Sequence, residues 1–236
     1  MKKNFTMLEL LITISIIMIL AALLLPALGA ARNRAHAAEC LGRLRQNASG
    51  MHMYSMDYDG LMVTYMKADT GSTISWSMAL YNGKYIPGTS YLATKTFVCP
   101  SLPPEGFHDP YRTYGSLKFN DKWEADFFEL GKGWGNFMMR EIASATQELY
   151  YSSHKLKMPS KALHFADTMY ANPGNAEHGF GFYYMPLRVK VNATLSVHHN
   201  RRANIAFFDG HAVSMSDAAL LAEEITALVV NGKKLE

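Results

Sequence analysis

No residue from Leu10 to Leu28 carries a charge. That run of about 19 residues would measure roughly 28 Å as a helix, close to the ~30 Å hydrocarbon core of a bilayer. Lipid offers the backbone no hydrogen-bond partner, so a lone segment crossing it must be helical. Lys2 and Lys3 precede the run, and Glu9 stands at its edge. A carboxylate there needs either interfacial water or a partner. One turn on stand Ile12 and Thr13, which offer no cation. Two readings stay open: a solvated interfacial Glu9, and a Glu9 paired with another chain.

The rival reading of the N-terminus is a cleaved secretory signal, with small residues at Ala21-Ala22 and around Gly29 to serve a signal peptidase. Such signals have apolar cores of only about 7–15 residues. The longer run and Glu9 favour a retained anchor. Flanking charge does not orient it, since Lys2 and Lys3 precede it while Arg32, Arg34, Arg43 and Arg45 follow.

Beyond Pro26 the helical signal continues through Ala-rich sequence to about Tyr58. Ala37, Leu41, Leu44, Ala48, Met51, Tyr54 and Tyr58 recur at alternating fours and threes, an apolar stripe on one face. Arg43, Arg45, Gln46, Asn47 and His52 fall on the other. Pro26 should bend the helix, and Gly60 should end it.

Lys3-Asn4-Phe5-Thr6-Met7-Leu8-Glu9-Leu10-Leu11 resembles the processing signal of type IV prepilins and type II secretion pseudopilins. The resemblance implies cleavage between Asn4 and Phe5 by a prepilin peptidase and methylation of the new Phe5 amine. It also implies that Glu9 pairs with the amine of a neighbouring subunit, and that Pro26 is the kink proline of the long helix. The family carries Gly before the cut, where this chain has Asn4. Expected partners are therefore the peptidase, homologous subunits in a filament and the cytoplasmic membrane, with an exported C-terminal head.

The 236 residues leave roughly 200 outside the membrane segment, enough for one domain with a sizeable core. A net charge of +3 with interspersed signs gives no basic stripe, so nucleic acid is not an expected partner. The two cysteines, Cys40 and Cys99, are not at metal-ligand spacing. In an oxidising compartment they are expected to form a disulfide, stabilising by roughly 4 kcal/mol over a loop of about 60 residues. The other reading is two unpaired thiols.

Strands are expected at Leu61–Met66, Thr96–Ser101, Ala162–Asp167 and Gly179–Met185, with a helical turn at Trp76–Tyr81. The stretch from His108 to His154 reads as an aromatic-rich insertion. Its Trp123, Phe127, Phe128, Trp134, Phe137, Tyr150 and Tyr151 suit a core or lid better than a sticky surface. Ala203–Phe208, Asp209-Gly210 and His211–Met215 read as a hairpin. A C-terminal helix is expected from Ser216 or Asp217, with Ala219, Leu220, Ile225, Leu228 and Val229 inward and Gly232 at its end. The predicted fold is α+β, a long helix packed on a mostly antiparallel sheet. The predicted divisions are 1–4 (leader), 5–28 and 29–59 (two half-helices) and 60–236 (head, with the insertion at about 105–155 and the hairpin at 199–215).

His199, Asp209 and Gly210 match a His-x9-Asp-Gly signature found in one large branch of pilin-like proteins, which also tends to carry a Cys after the long helix and a later Cys-Pro, here Cys40 and Cys99-Pro100. Three chemical readings compete at this end. Asp209 makes the turn and His199 pairs with it or with a carbonyl, a structural role. His199, Asp209, His211 and Asp167 gather round a metal in a membrane-anchored enzyme or binding module. Or His198-His199 and Arg201-Arg202 form an anion pocket. No Gly-x-Ser-x-Gly, His-Glu-x-x-His or phosphate loop occurs, and Gly131–Gly135 lacks the strand-to-helix setting of one. The expectation is a non-enzymatic filament subunit without a cofactor.

Overall fold

The computed structural model describes residues 6–67, 73–81, 95–101, 107, 112–118, 131–143, 146–170, 183–184, 193–226, 228–230 and 233–234. Its first element is a single helix, α1 (Met7–Asp57). Thr6 caps it: its Oγ1 accepts the Glu9 amide at 3.2 Å, while the Glu9 carboxylate accepts the Thr6 amide at 2.8 Å. This reciprocal capping box satisfies two of the amides that a helix start leaves unpaired. Glu9 thus has a partner within its own chain, a solution that neither expectation contained. Pro26 lies inside α1, which continues on both sides of it.

Burial divides α1 sharply. Residues 6–35 are all exposed, and none of the apolar membrane-length window is covered. Fifteen large apolar side chains stand open between Met7 and Leu28. From Ala37 onward the expected stripe turns inward, with Cys40, Leu44, Ala48, Met51 and Tyr54 buried. Tyr58 stays exposed, stacked on Tyr54 at 4.2 Å. Asn47, placed on the outer face by periodicity, is buried, because its Nδ2 donates to the Thr96 carbonyl at 2.7 Å.

Gly60 closes the helix with φ +76°; any Cβ there would sit 2.4 Å from the His154 ring. The chain then enters β1 (Leu61–Lys67) and β2 (Thr73–Ser75), followed by α2 (Trp76–Tyr81). Strands β3 (Gly115–Leu117), β4 (Met138–Ala143), β5 (Thr146–Ser152), β6 (Leu163–Ala166), β7 (Thr168–Tyr170), β8 (Tyr183–Tyr184), β9 (Ala193–Val197), β10 (Arg202–Phe207) and β11 (Ala212–Ser216) come next. A short helix, α3 (Asp217–Ala222), leads to β12 (Leu228–Val230) and β13 (Lys233–Lys234).

The strands form three sheets rather than one, ordered β2-β1-β5-β4, β11-β10-β6-β3-β8 and β13-β12-β9-β7. All pairings are antiparallel except β3 with β8 and β12 with β9. The fold is α+β. The inner half of α1 lies chiefly on β10 and also meets β1, β6 and β11. Around it Trp76 packs tilted against Phe165 at 4.4 Å, while Phe137, Tyr151 and Phe208 pack at 5.3–5.5 Å from one another. Trp134, Phe137 and Tyr151 are therefore core, as the sequence suggested; Trp123, Phe127 and Phe128 lie outside the described residues.

Two expected elements change. Residues 96–101 form turns, not a strand, because their carbonyls serve α1: Arg43 Nη1 donates to Lys95 and Val98 oxygens at 2.7 and 2.8 Å, and Asn47 takes Thr96. The C-terminal helix stops at Ala222 instead of running to Gly232. Glu224 adopts φ +61°, and Leu228-Val229-Val230 then pairs beside β9, where β-branched residues fit better than in a helix. Of the Gly179–Met185 strand only Tyr183 and Tyr184 are described.

Candidate functional site

Where the inner half of α1 meets the head, four buried side chains from four separate segments converge. Cys40 comes from the first inward turn of α1. Cys99 comes from the turn that Arg43 and Asn47 pin to that helix. Asp167 occupies the single residue between β6 and β7, where the chain leaves one sheet for another. His199 begins the turn joining β9 to β10; it exchanges backbone hydrogen bonds with Arg202 at 3.1 and 3.2 Å, and Asn200 and Arg201 between them adopt positive φ. The sulfur, nitrogen and carboxylate oxygen atoms of the four lie within 4.8 Å of one another.

The Cys40 thiol donates to Asp167 Oδ1 at 3.1 Å. Cys99 Sγ lies 3.3 Å from His199 Nε2 and equally far from His198 Nε2, whose Nδ1 is 3.0 Å from Ser196 Oγ. Asp167 is held from both sides: the Asn204 amide donates to its Oδ2 at 3.0 Å, and its own amide donates to the Asn204 carbonyl. His199 Nε2 stands 3.5 Å from Asp167 Oδ2.

Burial dominates the electrostatics. It pushes the Asp167 carboxyl up to about 7. It raises the Cys99 thiol, and the Cys40 thiol well above its ordinary value. Burial and the facing His36 lower His199 to about 4; burial and His199 lower His198 to about 3. Although His199 and Asp167 are close enough for an ion pair, desolvation drives each toward its neutral form, the sign expected where no solvent reaches.

Cys40 and Cys99 are brought together as the disulfide reading required, yet both are free thiols. No bond joins them in this structure, and each sulfur also lies against a polar neighbour. His199 and Asp167 also meet, but Asp209 and His211 do not join them. Strand β10 separates them: its six residues span about 20 Å, so the two ends of the His-x9-Asp-Gly signature sit at opposite ends of one strand. Asp209 instead makes its own turn, accepting the His211 amide at 3.1 Å and pairing with the His211 ring, which stacks on Phe207. Gly210 supplies the φ of +89° that this turn needs.

A cleft of about 680 Å³ opens beside the cluster, lined by Asn33, Arg34, His198, His199, Arg201 and Arg202 among others. These are the residues of the anion-pocket reading. Two of its cations are engaged, however: Arg201 with Asp217, and Arg202 with the Ser214 hydroxyl and carbonyl. Of the processing and assembly residues, Glu9 and Pro26 lie on the bare part of α1, and Asn4 and Phe5 lie outside the described residues. Sequence reasoning missed Arg43 and Asn204, which position Cys99 and Asp167. Neither carries a spacing signal, because each bond runs to or from a main-chain group between residues far apart in the chain.

Comparison with protein-family models, curated proteins and solved structures finds no match to this chain. What the geometry defines is an α+β head carried on a helix long and apolar enough to cross a membrane.

Proposed function

We propose that this chain is a structural, pilin-like subunit, held in the cytoplasmic membrane by the outer half of α1 and later packed helix to helix into a filament of the type IV pilus or type II secretion kind. The observation that carries this reading is the division of α1. One unbroken helix is keyed into a folded head over its inner half and bare over an apolar outer half. Fully burying a Leu or Ile side chain is worth roughly 1.5–3 kcal/mol. Fifteen bare side chains therefore represent tens of kcal/mol that lipid, and afterwards neighbouring helices, can recover. A prepilin peptidase would cut after Asn4 and methylate Phe5. Glu9 would then exchange its bond to Thr6 for the amine of a neighbouring Phe5 and so set the stagger between subunits. A buried pair of that kind favours register more than stability.

The test is intact-mass and N-terminal analysis of the protein isolated from membranes. The reading requires a chain that starts at a methylated Phe5 and keeps its apolar helix. A mature chain starting near Ala30 and free in solution would overturn it.

A further inference from the structure

We propose that Cys40, Cys99, Asp167 and His199 form a closed tetrahedral Zn²⁺ site that rivets α1 to the head. The donor set is the first argument. Two thiolates, one imidazole and one carboxylate are ligands zinc takes, and four is the coordination number of its structural sites. Calcium and magnesium prefer all-oxygen shells, which the two sulfurs exclude.

Distance is the second argument. Bonds of ~2.0–2.3 Å directed to the corners of a tetrahedron put neighbouring ligand atoms ~3.3–3.8 Å apart. The contacts here are 3.1 Å (Cys40 Sγ to Asp167 Oδ1) and 3.3 Å (Cys99 Sγ to His199 Nε2). With all four donors inside 4.8 Å, an ion enters with side-chain shifts of an ångström or less. A disulfide, by contrast, would bring the two sulfurs to ~2.05 Å and cost Asp167 Oδ1 the thiol that now donates to it.

The surroundings are the third. Structural zinc ligands are steadied by outer hydrogen bonds. The Asn204 amide already fixes Asp167 Oδ2, leaving Oδ1 for the metal. Ser196 can donate to His198 Nδ1, leaving Nε2–H to donate to the Cys99 sulfur. Binding releases the two thiol protons, and the Asp167 proton wherever the carboxyl holds one, to solvent, so three anionic ligands face a dication. Arg34 and Arg202 along the adjoining cleft offset the remaining negative charge. Every ligand is buried, so the site has no open position for substrate and its role is to hold the fold together. The inference does not depend on filament assembly, since its ligands lie at the junction of helix and head.

The test uses the full chain in detergent, purified under reducing conditions without chelator. Zinc content is measured, then chelated, and Co²⁺ is added alone. The site requires one zinc per chain, intense visible bands of tetrahedral Co²⁺ with a thiolate charge-transfer band, and loss of stoichiometric metal in Cys40→Ser and His199→Ala. Should those variants fail to fold, alkylation of the wild type decides: Cys40 and Cys99 must resist it until chelator is added. Metal-free protein that takes up no cobalt, full metal content in both variants, or a Cys40–Cys99 disulfide in protein from native membranes would each overturn the proposal.

Discussion

The two halves of α1 have the same backbone and opposite surroundings. From Thr6 to Ala35 every residue is exposed, and the apolar side chains point in all directions. From Ala37 the apolar residues narrow to a stripe, and the stripe is what the head covers. A helix that is apolar all round must be enclosed by something apolar, whereas a striped one needs a partner on one side only. Among the described residues the chain provides that one-sided partner and no cover for the other half.

The sharpest way to break this contrast is to make one deletion in each half. Leu44 is fully buried and Leu20 is 55% exposed. Leu44→Ala should cost about 2–5 kcal/mol of head stability in denaturant unfolding of the detergent-solubilised chain. Leu20→Ala should leave the same unfolding midpoint in place. Equal losses would mean that the outer half is also covered by the head.

Both halves of α1 were legible in the sequence, because charge absence and a 3–4 spacing are local patterns. So was the β10–β11 hairpin, since Asp209-Gly210 announces its turn within four residues. The four-residue cluster was legible only in fragments. Cys40 with Cys99 read as one pair, and His199 with Asp167 read as part of another. Their union depends on Arg43 and Asn47 drawing the 95–101 segment onto α1 and on a sheet switch at Asp167, and such contacts leave no local periodicity. The His-x9-Asp-Gly spacing misled for the opposite reason. A strand between its two ends keeps them apart, so proximity in sequence did not become proximity in space. The C-terminal helix failed where Leu228-Val229-Val230, apolar enough for either element, found an open edge at β9.

A smaller effect separates the halves by pH. His164 on β6 is fully enclosed, stacked between Phe165 and Phe208 at 3.9 and 4.0 Å, and neither ring nitrogen has a hydrogen-bond partner among the described residues. Burial, with His52 of α1 facing it, lowers it well below 6.5. It is therefore neutral in the fold, while the unfolded chain gains a proton as pH falls through about 6.5. Stability should hold above that pH and decline below it, by up to ~1.4 kcal/mol per pH unit for one proton. In metal-free protein His198 and His199, also lowered, add to the decline, while Asp167, raised to about 7, works against it between there and its unfolded value near 3.8. His164→Phe should keep the stacking, be at least as stable at pH 7, and show an acid decline shallower by one proton. An unchanged slope would mean that His164 is not buried in its neutral form.

The least effect on the fold should come from the residue with the largest consequence for assembly. Among the described residues Glu9 hydrogen-bonds only to Thr6, at the far end of the bare half and away from the head. Glu9→Ala removes one arm of the capping box and leaves the Thr6 hydroxyl free to accept the residue 9 amide, so any fraying is confined to the first turn. Thermal unfolding of the head should match the wild type, and membrane insertion should persist or strengthen, because a carboxylate has been taken out of the apolar segment. Recruitment into filaments should nevertheless fail, because no anion remains to meet a neighbour's amine. Glu9→Gln separates charge from hydrogen bonding: it can still accept from Thr6 but carries no charge, so it should fail as completely as Ala. If Gln assembles normally, capping geometry rather than charge sets the stagger, and the outer half of α1 is specified locally after all.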